Sequence, residues 1–524
     1  MAQPPQAGVG IGAGIAQRTE LQKNLAPQGT AFGEGGLYGG APSAYLPPEN
    51  TENYLPIDEN PVKQVAEAPV STFSVDVDSG SYANVRRFIL NGQQPPEDAV
   101  RVEEMINYFT YDFPAADDLE TPFKTTTHIV KTPWNPDTYL LEIGIKGYQP
   151  KGERPAANLV FLIDVSGSME DANKLPLLKS GMRMLTDQLR PEDKVSIVVY
   201  AGAAGVVLEP TSDKAKIKAA LNQLQAGGST AGGEGIQLAY AMAKQGRIDG
   251  GINRIILATD GDFNVGTTDI DALKKMIEEN RKSGIALTTL GFGEGNYNDA
   301  LMEQIADVGN GNYGYVDSLK EAKRLLVDQL DAMIQTIAKD VKVQVEFNPA
   351  VVAEYRLIGY ENRALKREDF NNDQKDAGEI GAGHTVTALY EIALKGSKGL
   401  AVDPLRYGAA PAPTAEPGVK PEEFAFLRLR YKAPDGDVSK LIETPLATAR
   451  LDKPESTNDE LDFAAAVAAF GQKLRGGDHL KNYSYDQIAE LAKAARGSDE
   501  DGMRAEFIEL VEMSKALGSS GSVQ

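Results

Sequence analysis

Between about residues 153 and 338, short runs of apolar residues alternate with stretches whose apolar positions recur every three or four residues. The runs include "NLVFLID", "KVSIVVY", "RIILATD" and "IALTTLGF", and a wholly apolar run of this length is typical of a strand covered on both faces. The stretch after the first run places five apolar residues on one helical stripe: Leu175, Leu178, Met182, Leu185 and Leu189. Strands separated by single helices predict an α/β fold with a doubly wound, mostly parallel sheet.

The pattern changes on both sides of this region. "TTTHIVKTPWNPDTYLLEIGIKGY" before it, and "VKVQVEFN", "HTVTALYEIAL" and "FAFLRLRYKA" after it, alternate with the period of two that predicts antiparallel strands. We therefore expect one β-sandwich-like domain assembled from both flanks. The predicted order is a flexible arm (1–70), a helical segment (71–115), a β-rich segment (116–152), the α/β domain (153–338), a β-rich domain packing with 116–152 (339–455) and a helical C-terminal region (456–517).

Composition excludes several classes of function. The 524 residues include 53 Lys and Arg against 75 Asp and Glu, a formal net charge of −22, and such a surface repels nucleic acid and anionic lipid. The chain has no cysteine, which excludes disulfides, thiolate zinc sites and cysteine nucleophiles. Its three histidines, His128, His384 and His479, are far apart in sequence, so a histidine metal cluster or a histidine-based catalytic triad is not expected.

The sequence also lacks the patterns of membrane insertion. No apolar run approaches the ~18–20 residues that span a bilayer. The start, "MAQPPQAGVGIGAGIAQRTE", has neither a basic region nor a sustained apolar region, so we expect no signal peptide in this sequence. Its "GVGIGAG" follows no strand and does not have the GxGxxG spacing, which favours a solvated linker over a phosphate-binding loop.

Candidate chemistry is concentrated in three loops that follow strands or helices of the α/β region. Because ligands collect beyond the carboxyl ends of parallel strands, the loops "DVSGSM", "AGGSTAGGEG" and "ATDGDFN" are expected to meet at one edge. Their oxygen donors are Asp164, Ser166, Ser168, Ser229, Thr230 and Asp260. Such donors suit Mg²⁺, with Mn²⁺ or Ca²⁺ as alternatives, whereas zinc and copper prefer nitrogen or sulfur.

The three loops resemble those of a von Willebrand factor type A domain with its metal-ion-dependent adhesion site. The resemblance implies that the metal ligands are Asp164, Ser166, Ser168, Thr230 and Asp260. In that family the serines usually contact the ion directly and the aspartates often act through water. Ser229 precedes Thr230 and is an alternative to it as the second-loop ligand.

The flanks resemble a bacterial family of envelope-associated proteins that carry this domain. "STFSVDVDSGSYANVRRFILNG" before the domain, with "RLIGYENR" and "DAGEIGAGHTVTALYE" after it, carry the resemblance. It implies a dedicated N-terminal segment, a dedicated C-terminal domain and a location in the bacterial envelope, either periplasmic or surface-exposed. Members are often exported or lipid-anchored, although no lipid-accepting cysteine is present here.

These features predict a protein-binding function without catalysis. If few negative charges contact the divalent ion, it stays electrophilic, and an Asp or Glu of a partner protein can complete its coordination. The alternative is a structural or assembly subunit that docks without metal. Asp262, Asn264 and Glu294 lie on the same predicted edge, as further ligands or as ordinary loop residues.

A second acidic stretch, "FSVDVDSGSY", allows a minor alternative. Asp76 and Asp78 after a short strand resemble the nucleophile loop of metal-dependent haloacid-dehalogenase-like phosphatases, but no alternating strands and helices follow to supply its other groups. The stretch also does not match a calcium-binding EF-hand loop that starts at Asp76. Ser81 and Arg87 would occupy the positions where such a loop has Gly and Glu. We therefore expect Asp76 with Ser79 or Ser81 to cap the following helix. In "GGSTAGGEG" the absence of lysine excludes a phosphate-binding P-loop.

Overall fold

The computed structural model describes residues 51–75, 78–228, 232–261, 270–403, 420–452, 454–455 and 458–520. The strands, in chain order, are β1 (Lys63–Gln64), β2 (Val70–Ser74), β3 (Phe123–Thr132), β4 (Asn135–Gly147), β5 (Ala157–Asp164), β6 (Lys194–Tyr200), β7 (Ala204–Thr211), β8 (Ile252–Thr259), β9 (Ala286–Phe292), β10 (Tyr313–Val316), β11 (Thr336–Phe347), β12 (Val352–Ile358), β13 (Ile380–Gly381), β14 (Thr385–Leu394), β15 (Glu423–Lys432) and β16 (Ser439–Ala447).

The α-helices, in the same order, are α1 (Gly80–Leu90), α2 (Val102–Asn107), α3 (Leu175–Gln188), α4 (Lys214–Gln223), α5 (Gly232–Gln245), α6 (Ile270–Arg281), α7 (Asp299–Val308), α8 (Leu319–Lys323), α9 (Leu330–Ile334), α10 (Ala449–Asp452), α11 (Asp459–Leu474), α12 (Tyr485–Ala494) and α13 (Met503–Ser520). Among the described residues, no helix is both long and apolar enough to cross a membrane.

The middle of the chain forms a six-stranded sheet with the order β10-β9-β8-β5-β6-β7. Neighbouring strands are parallel except for the antiparallel edge strand β7. Every residue of β5 is buried, and its alternate side chains enter two different cores. Leu159 and Phe161 pack on one face of the sheet, whereas Val160 and Leu162 pack on the other. The predicted α/β fold class, with a doubly wound and mostly parallel sheet, is therefore confirmed.

Two antiparallel sheets pack together next to this domain. One has the order β1-β12-β14-β4-β3, and the other joins β13, β11, β15 and β16, with β2 also paired to β11. In the first sheet β4 pairs along its length with β14, so strands from both sides of the parallel sheet form a single sandwich. The inner faces share one apolar core, in which Ile143 of β4 and Val343 of β11 lie.

A helical layer covers the outer face of the first sheet. It combines α1 and α2 from the start of the described chain with α11, α12 and α13 from its end. Phe109 lies two residues after the end of α2. Its ring packs edge-on against Phe463 and Phe507, at centroid distances of 5.0 and 5.8 Å. The two helical segments that the sequence presented separately thus share one core.

The last helical stretch of the α/β domain is divided into α8, a π-helical turn at Arg324–Asp328 and α9. One local feature differs from the sequence-based expectation. The segment expected to be helical from residue 71 begins instead with strand β2, because residues 70–74 pair antiparallel with β11 and Phe73 packs in the sandwich core.

Buried arginines join the helical layer to the α/β domain. Arg101, at the start of α2, is 1% exposed and its guanidinium lies 2.6 Å from the carboxylate of Asp299 on α7. It also pairs with Glu104 and lies 3.8 Å from Glu303. In α1, Arg86 contacts three carboxylates in the same way: Asp317, Glu321 and Glu506.

Candidate functional site

The strand order places the candidate site between β5 and β8. From β5 the chain proceeds outward to β6 on one side, and later returns to β8 on the other side. The carboxyl ends of two such strands diverge into a crevice, which is where open α/β sheets bind ligands. Asp164 is the last residue of β5, and Asp260 directly follows β8. The structure therefore brings together the two aspartates that the sequence predicted as metal ligands.

Hydrogen bonds from both strand ends hold the Asp164 carboxylate. One oxygen accepts from the backbone N–H of Ser166 at 2.8 Å, and the other accepts from the hydroxyl of Thr259 at 2.8 Å. Burial raises the pKa of Asp164 to about 6, although these two hydrogen bonds act to lower it. An ionised carboxylate that is fully buried is poorly solvated, and a nearby cation would stabilise it.

The two predicted serine ligands lie side by side. The Oγ atoms of Ser166 and Ser168 are 3.0 Å apart, and adjacent ligands on an octahedral ion with bonds of about 2.0–2.1 Å are separated by about 3 Å. The Gly167 N–H between them donates to the carbonyl of Gly228 at 3.0 Å. This bond fixes the first loop against the start of the glycine-rich second loop.

Asp260 has a partner that the sequence analysis missed. The Lys174 ammonium lies 3.1 Å from its Oδ2, and the amide of Asn296 donates to the same oxygen at 3.0 Å. Lys174 also donates to the side-chain oxygen of Asn296 at 3.0 Å. The residue after Asp260 has to be glycine, since Gly261 has φ +80° and a Cβ there would lie 2.6 Å from the Asn298 nitrogen.

Of the remaining predicted site residues, only Glu294 lies within the described part of the chain. Thr230, its alternative Ser229, and the edge residues Asp262 and Asn264 lie outside the described residues. Glu294 is described, and its side chain accepts hydrogen bonds from the α1 region, from Arg87 at 3.4 Å and Asn91 at 2.9 Å.

Three residues of this edge were not identified from the sequence, although two of them carried a weak signal there. Thr259 directly precedes Asp260, at the last position of an apolar strand, and its hydroxyl could have been assigned to the Asp164 carboxylate. Lys174 is a lone cation in the otherwise acidic stretch "SMEDANK". Asn296 comes from the loop after β9, a fourth strand end, and no motif marks it.

The second acidic stretch has a structural role in its described part. Asp76 lies outside the described residues. The carboxylate of Asp78 accepts from the Tyr313 N–H at 2.8 Å and lies 3.5 Å from Arg363. Capping by Ser79 is wrong, since Ser79 precedes α1 but makes no side-chain capping bond and instead accepts from Arg324 at 2.7 Å.

Ser81 does not cap α1 either. Its hydroxyl donates to the Ala99 carbonyl at 2.7 Å, while the Glu104 carboxylate accepts from the Ser81 N–H at 2.8 Å. An orphan N–H at the start of α1 is thus satisfied by a residue from α2. The expected capping pattern therefore fails because tertiary partners replace local ones.

The donors at the β5–β8 crevice fit a hard divalent cation. Within the part of the chain that the structure describes, no three His, Asp or Glu side chains are grouped to hold a metal ion. The set here is of another kind, with two carboxylates and two hydroxyls, all oxygen ligands of the type that Mg²⁺ prefers. The two carboxylates together carry a charge of −2, and the Lys174 ammonium beside Asp260 offsets one of these charges, so the set would neutralise a divalent ion only partly.

Comparison with known families agrees with this architecture. A family model described as "von Willebrand factor type A domain" matches residues 159–262, which run from β5 through β8 to the residues after Asp260. A second, described as "von Willebrand factor", matches residues 48–142, where the described part contains β1 to β4 with α1 and α2 rather than the parallel sheet. The parallel sheet is thus a von Willebrand factor type A domain, a class that commonly mediates protein–protein interaction.

A third model, described as "Uncharacterized protein YfbK, C-terminal", matches residues 332–517. The chain is 48% identical to the YfbK protein of Escherichia coli (strain K12) over 486 residues, which cover 91% of this chain and 83% of that protein. The chain therefore belongs to the YfbK family of von Willebrand factor type A domain proteins.

More distant similarities involve smaller parts of the sequence or a lower identity. A Synechocystis sp. protein described as "Uncharacterized protein sll0103" is 32% identical over 167 residues, which cover 32% of this chain and 39% of that protein. Among solved structures, a von Willebrand factor type A protein from Catenulispora acidiphila aligns with 73% of this chain and 89% of its own, at 16% identity and a TM-score of 0.39.

Proposed function

We propose that this chain is a divalent-metal-dependent protein-binding protein, in which a carboxylate of the partner completes the coordination of the ion. The observation that carries the proposal is the convergence of Asp164, Asp260 and the paired hydroxyls of Ser166 and Ser168 at the β5–β8 crevice. Thr230 belongs to the proposed ligand set through the family resemblance. When bound, Mg²⁺, or Mn²⁺ or Ca²⁺ in its place, would supply an electrophilic charge to an incoming Asp or Glu.

The charges around the crevice support this function. The negative charges of the two aspartates, Asp164 and Asp260, are partly offset by the Lys174 ammonium. The net negative charge at the site is therefore smaller than the positive charge of a divalent ion. A partner carboxylate would therefore gain a charge-assisted contact with the ion. No group with a catalytic role is part of the proposal, and ion-dependent turnover of a generic phosphoester would contradict it.

A second candidate function is docking without metal, as a structural or assembly subunit. Lys174 favours it, because a buried ammonium already lies 3.1 Å from Asp260 and supplies positive charge at the same edge. Under this alternative, partner binding would be indifferent to chelation.

The test is a capture experiment with matched variants. We expect the immobilised wild type to retain at least tenfold less partner protein in EDTA than in Mg²⁺. We expect the Ser166→Ala/Ser168→Ala variant to show the same loss in Mg²⁺. Ser180→Ala/Ser283→Ala is the control, since the hydroxyls of these two serines of the same domain donate to the nearby carbonyls of Pro176 and Asn280. Quantitative mass spectrometry measures the retained proteins, and partners unaffected by both EDTA and the variant would favour metal-free docking.

Chelation is expected to change stability little. An ion present near its Kd stabilises the folded state by only ~0.4 kcal/mol, so the melting temperature should hardly move when EDTA is added. Differential scanning calorimetry with and without EDTA checks this. A decrease of many degrees would assign the ion to folding rather than to partner binding.

The proposed location is the bacterial envelope, which rests on the family resemblance. Fractionation of cells that express the natural gene, with detection by antibody, tests it. Recovery of the protein in the cytosolic fraction alone would contradict this location.

A further inference from the structure

Lys174 occupies a position built for a lysine at the candidate metal edge. Its side chain is 5% exposed, although lysine is among the residues least often buried. Lys174 is the residue that precedes α3. Its side chain extends toward the end of β8, where the ammonium contacts Asp260 and Asn296. A buried ammonium is costly unless it is paired, and both partners here are oxygen atoms.

The neighbouring backbone is shaped around the aliphatic stem of Lys174. Gly293, which directly follows β9, has φ +79°, and a Cβ on it would lie 2.2 Å from Cε of Lys174 and 2.7 Å from its Cγ. No side chain can therefore stand at residue 293 while the lysine keeps this path. The same loop supplies Asn296, so one loop both makes space for the stem and receives the ammonium.

From this arrangement we propose that Lys174 is an internal counter-cation that weakens the binding of a free divalent ion and makes tight binding depend on the partner's carboxylate. The proposal rests on the metal-dependent function above. The ammonium neutralises Asp260 and repels a second cation nearby. A partner carboxylate would restore negative charge on the open side, so ion and partner would bind cooperatively, each raising the affinity of the other.

Direct titration with Mn²⁺ tests this proposal without any partner. Lys174→Met retains much of the apolar stem and removes the charge, and we expect it to bind Mn²⁺ at least tenfold more tightly than the wild type. Lys174→Arg retains the charge and should bind as weakly as the wild type, which a merely structural role would not predict. Isothermal titration calorimetry gives the affinities, and electron paramagnetic resonance of free Mn²⁺ confirms them.

Two further variants serve as controls. Lys216→Met makes the same change in net charge at a side chain that is 70% exposed on α4, and it should leave Mn²⁺ affinity unchanged. Ser166→Ala/Ser168→Ala, alone and combined with Lys174→Met, should lose the binding and so assign it to this edge. If Lys174→Met does not fold in chelator, recovery of its native circular dichroism during the Mn²⁺ titration supports the proposal, and no recovery overturns it.

The outcomes separate this inference from the proposed function. Wild-type binding through Ser166 and Ser168 with no increase in Lys174→Met would overturn the role of Lys174 alone. Binding by Lys174→Met without detectable binding by the wild type would support that role, and EDTA-resistant capture of partners by the wild type would then contradict the metal-dependent function. Absence of binding in both would overturn both proposals.

Discussion

Replacement of Arg101 by methionine is expected to lower the free energy of unfolding by about 3–5 kcal/mol, the usual cost of removing one member of a buried ion pair. The Arg101 guanidinium lies 2.6 Å from Asp299 and also pairs with Glu104, and all three side chains are at most 1% exposed. Without the arginine, the buried carboxylates of Asp299 and Glu104 would lose this counter-charge, and Glu303 would keep Arg363 as its ion-pair partner.

Urea denaturation followed by tryptophan fluorescence measures this effect. The chain has a single tryptophan, Trp134, which lies in the core beneath the helical layer that Arg101 joins to the α/β domain. Arg247→Met is the control, because its partner Asp249 is almost fully exposed and surface pairs contribute ~0–1 kcal/mol. A loss below about 1 kcal/mol in Arg101→Met would show that the buried pair does not join the two layers energetically.

Glu142→Gln is expected to make the protein more stable than the wild type at alkaline pH. Glu142 lies on β4, on the face covered by the helical layer, and is fully buried. Neither of its carboxylate oxygens has a hydrogen-bond partner among the described residues. Burial, together with the nearby carboxylates of Glu460, Glu455 and Asp462, raises its pKa to about 8. On the neighbouring strand β3, the residue paired with Glu142 is His128.

The direction of the pH effect follows from this pKa. Between about pH 4.5, the ordinary value, and pH 8 the folded protein holds a proton on Glu142 that the unfolded chain has lost. The stability contributed by this group is therefore present in full at low pH and falls as pH rises through that window. This difference in pKa corresponds to a loss of stability on the order of 5 kcal/mol above pH 8, and glutamine, which does not titrate, avoids it.

Denaturation of both proteins at pH 5 and pH 9 checks this expectation. The two should differ by no more than about 1 kcal/mol at pH 5, and Glu142→Gln should be the more stable by several kcal/mol at pH 9. Glu443→Gln, at a side chain 48% exposed on β16, is the control and should give no such divergence. An equal difference at both pH values would contradict the assigned protonation.

The α/β domain could be predicted because its parallel strands β5, β8 and β9 are apolar runs, each followed by an amphipathic helix. A run such as "NLVFLID" has one stable environment, the middle of a sheet with helices on both faces, and β5 has that environment. The flanking segments were harder to predict, because α1 and α2 depend on helices from the far end of the chain. Their periodicity indicates an apolar face but not its partner.

The candidate site was predictable to the extent that it is local in sequence. Asp164, Ser166 and Ser168 form one loop, and Asp260 ends a recognisable strand, so their types and order indicated oxygen coordination. Lys174 and Asn296 could not be assigned, because their contacts depend on how the loop after β9, which contains Gly293 and Asn296, packs against the Lys174 side chain. Hydrogen bonds that replace a local cap, as at Ser79 and Ser81, are likewise set by distant residues.

The pairing of β4 with β14 has a consequence for the order in which the chain folds. During synthesis from the N-terminus, every strand of the parallel sheet has its neighbours once residue 316 has emerged, so this sheet can be completed early. By contrast, β4 must wait for β14, and the aromatic face of Phe109 must wait for α11 and α13. A nascent chain therefore carries a completed α/β domain between two incomplete ends, and a chain interrupted before α11 would expose the apolar side chains that α11 and α13 cover.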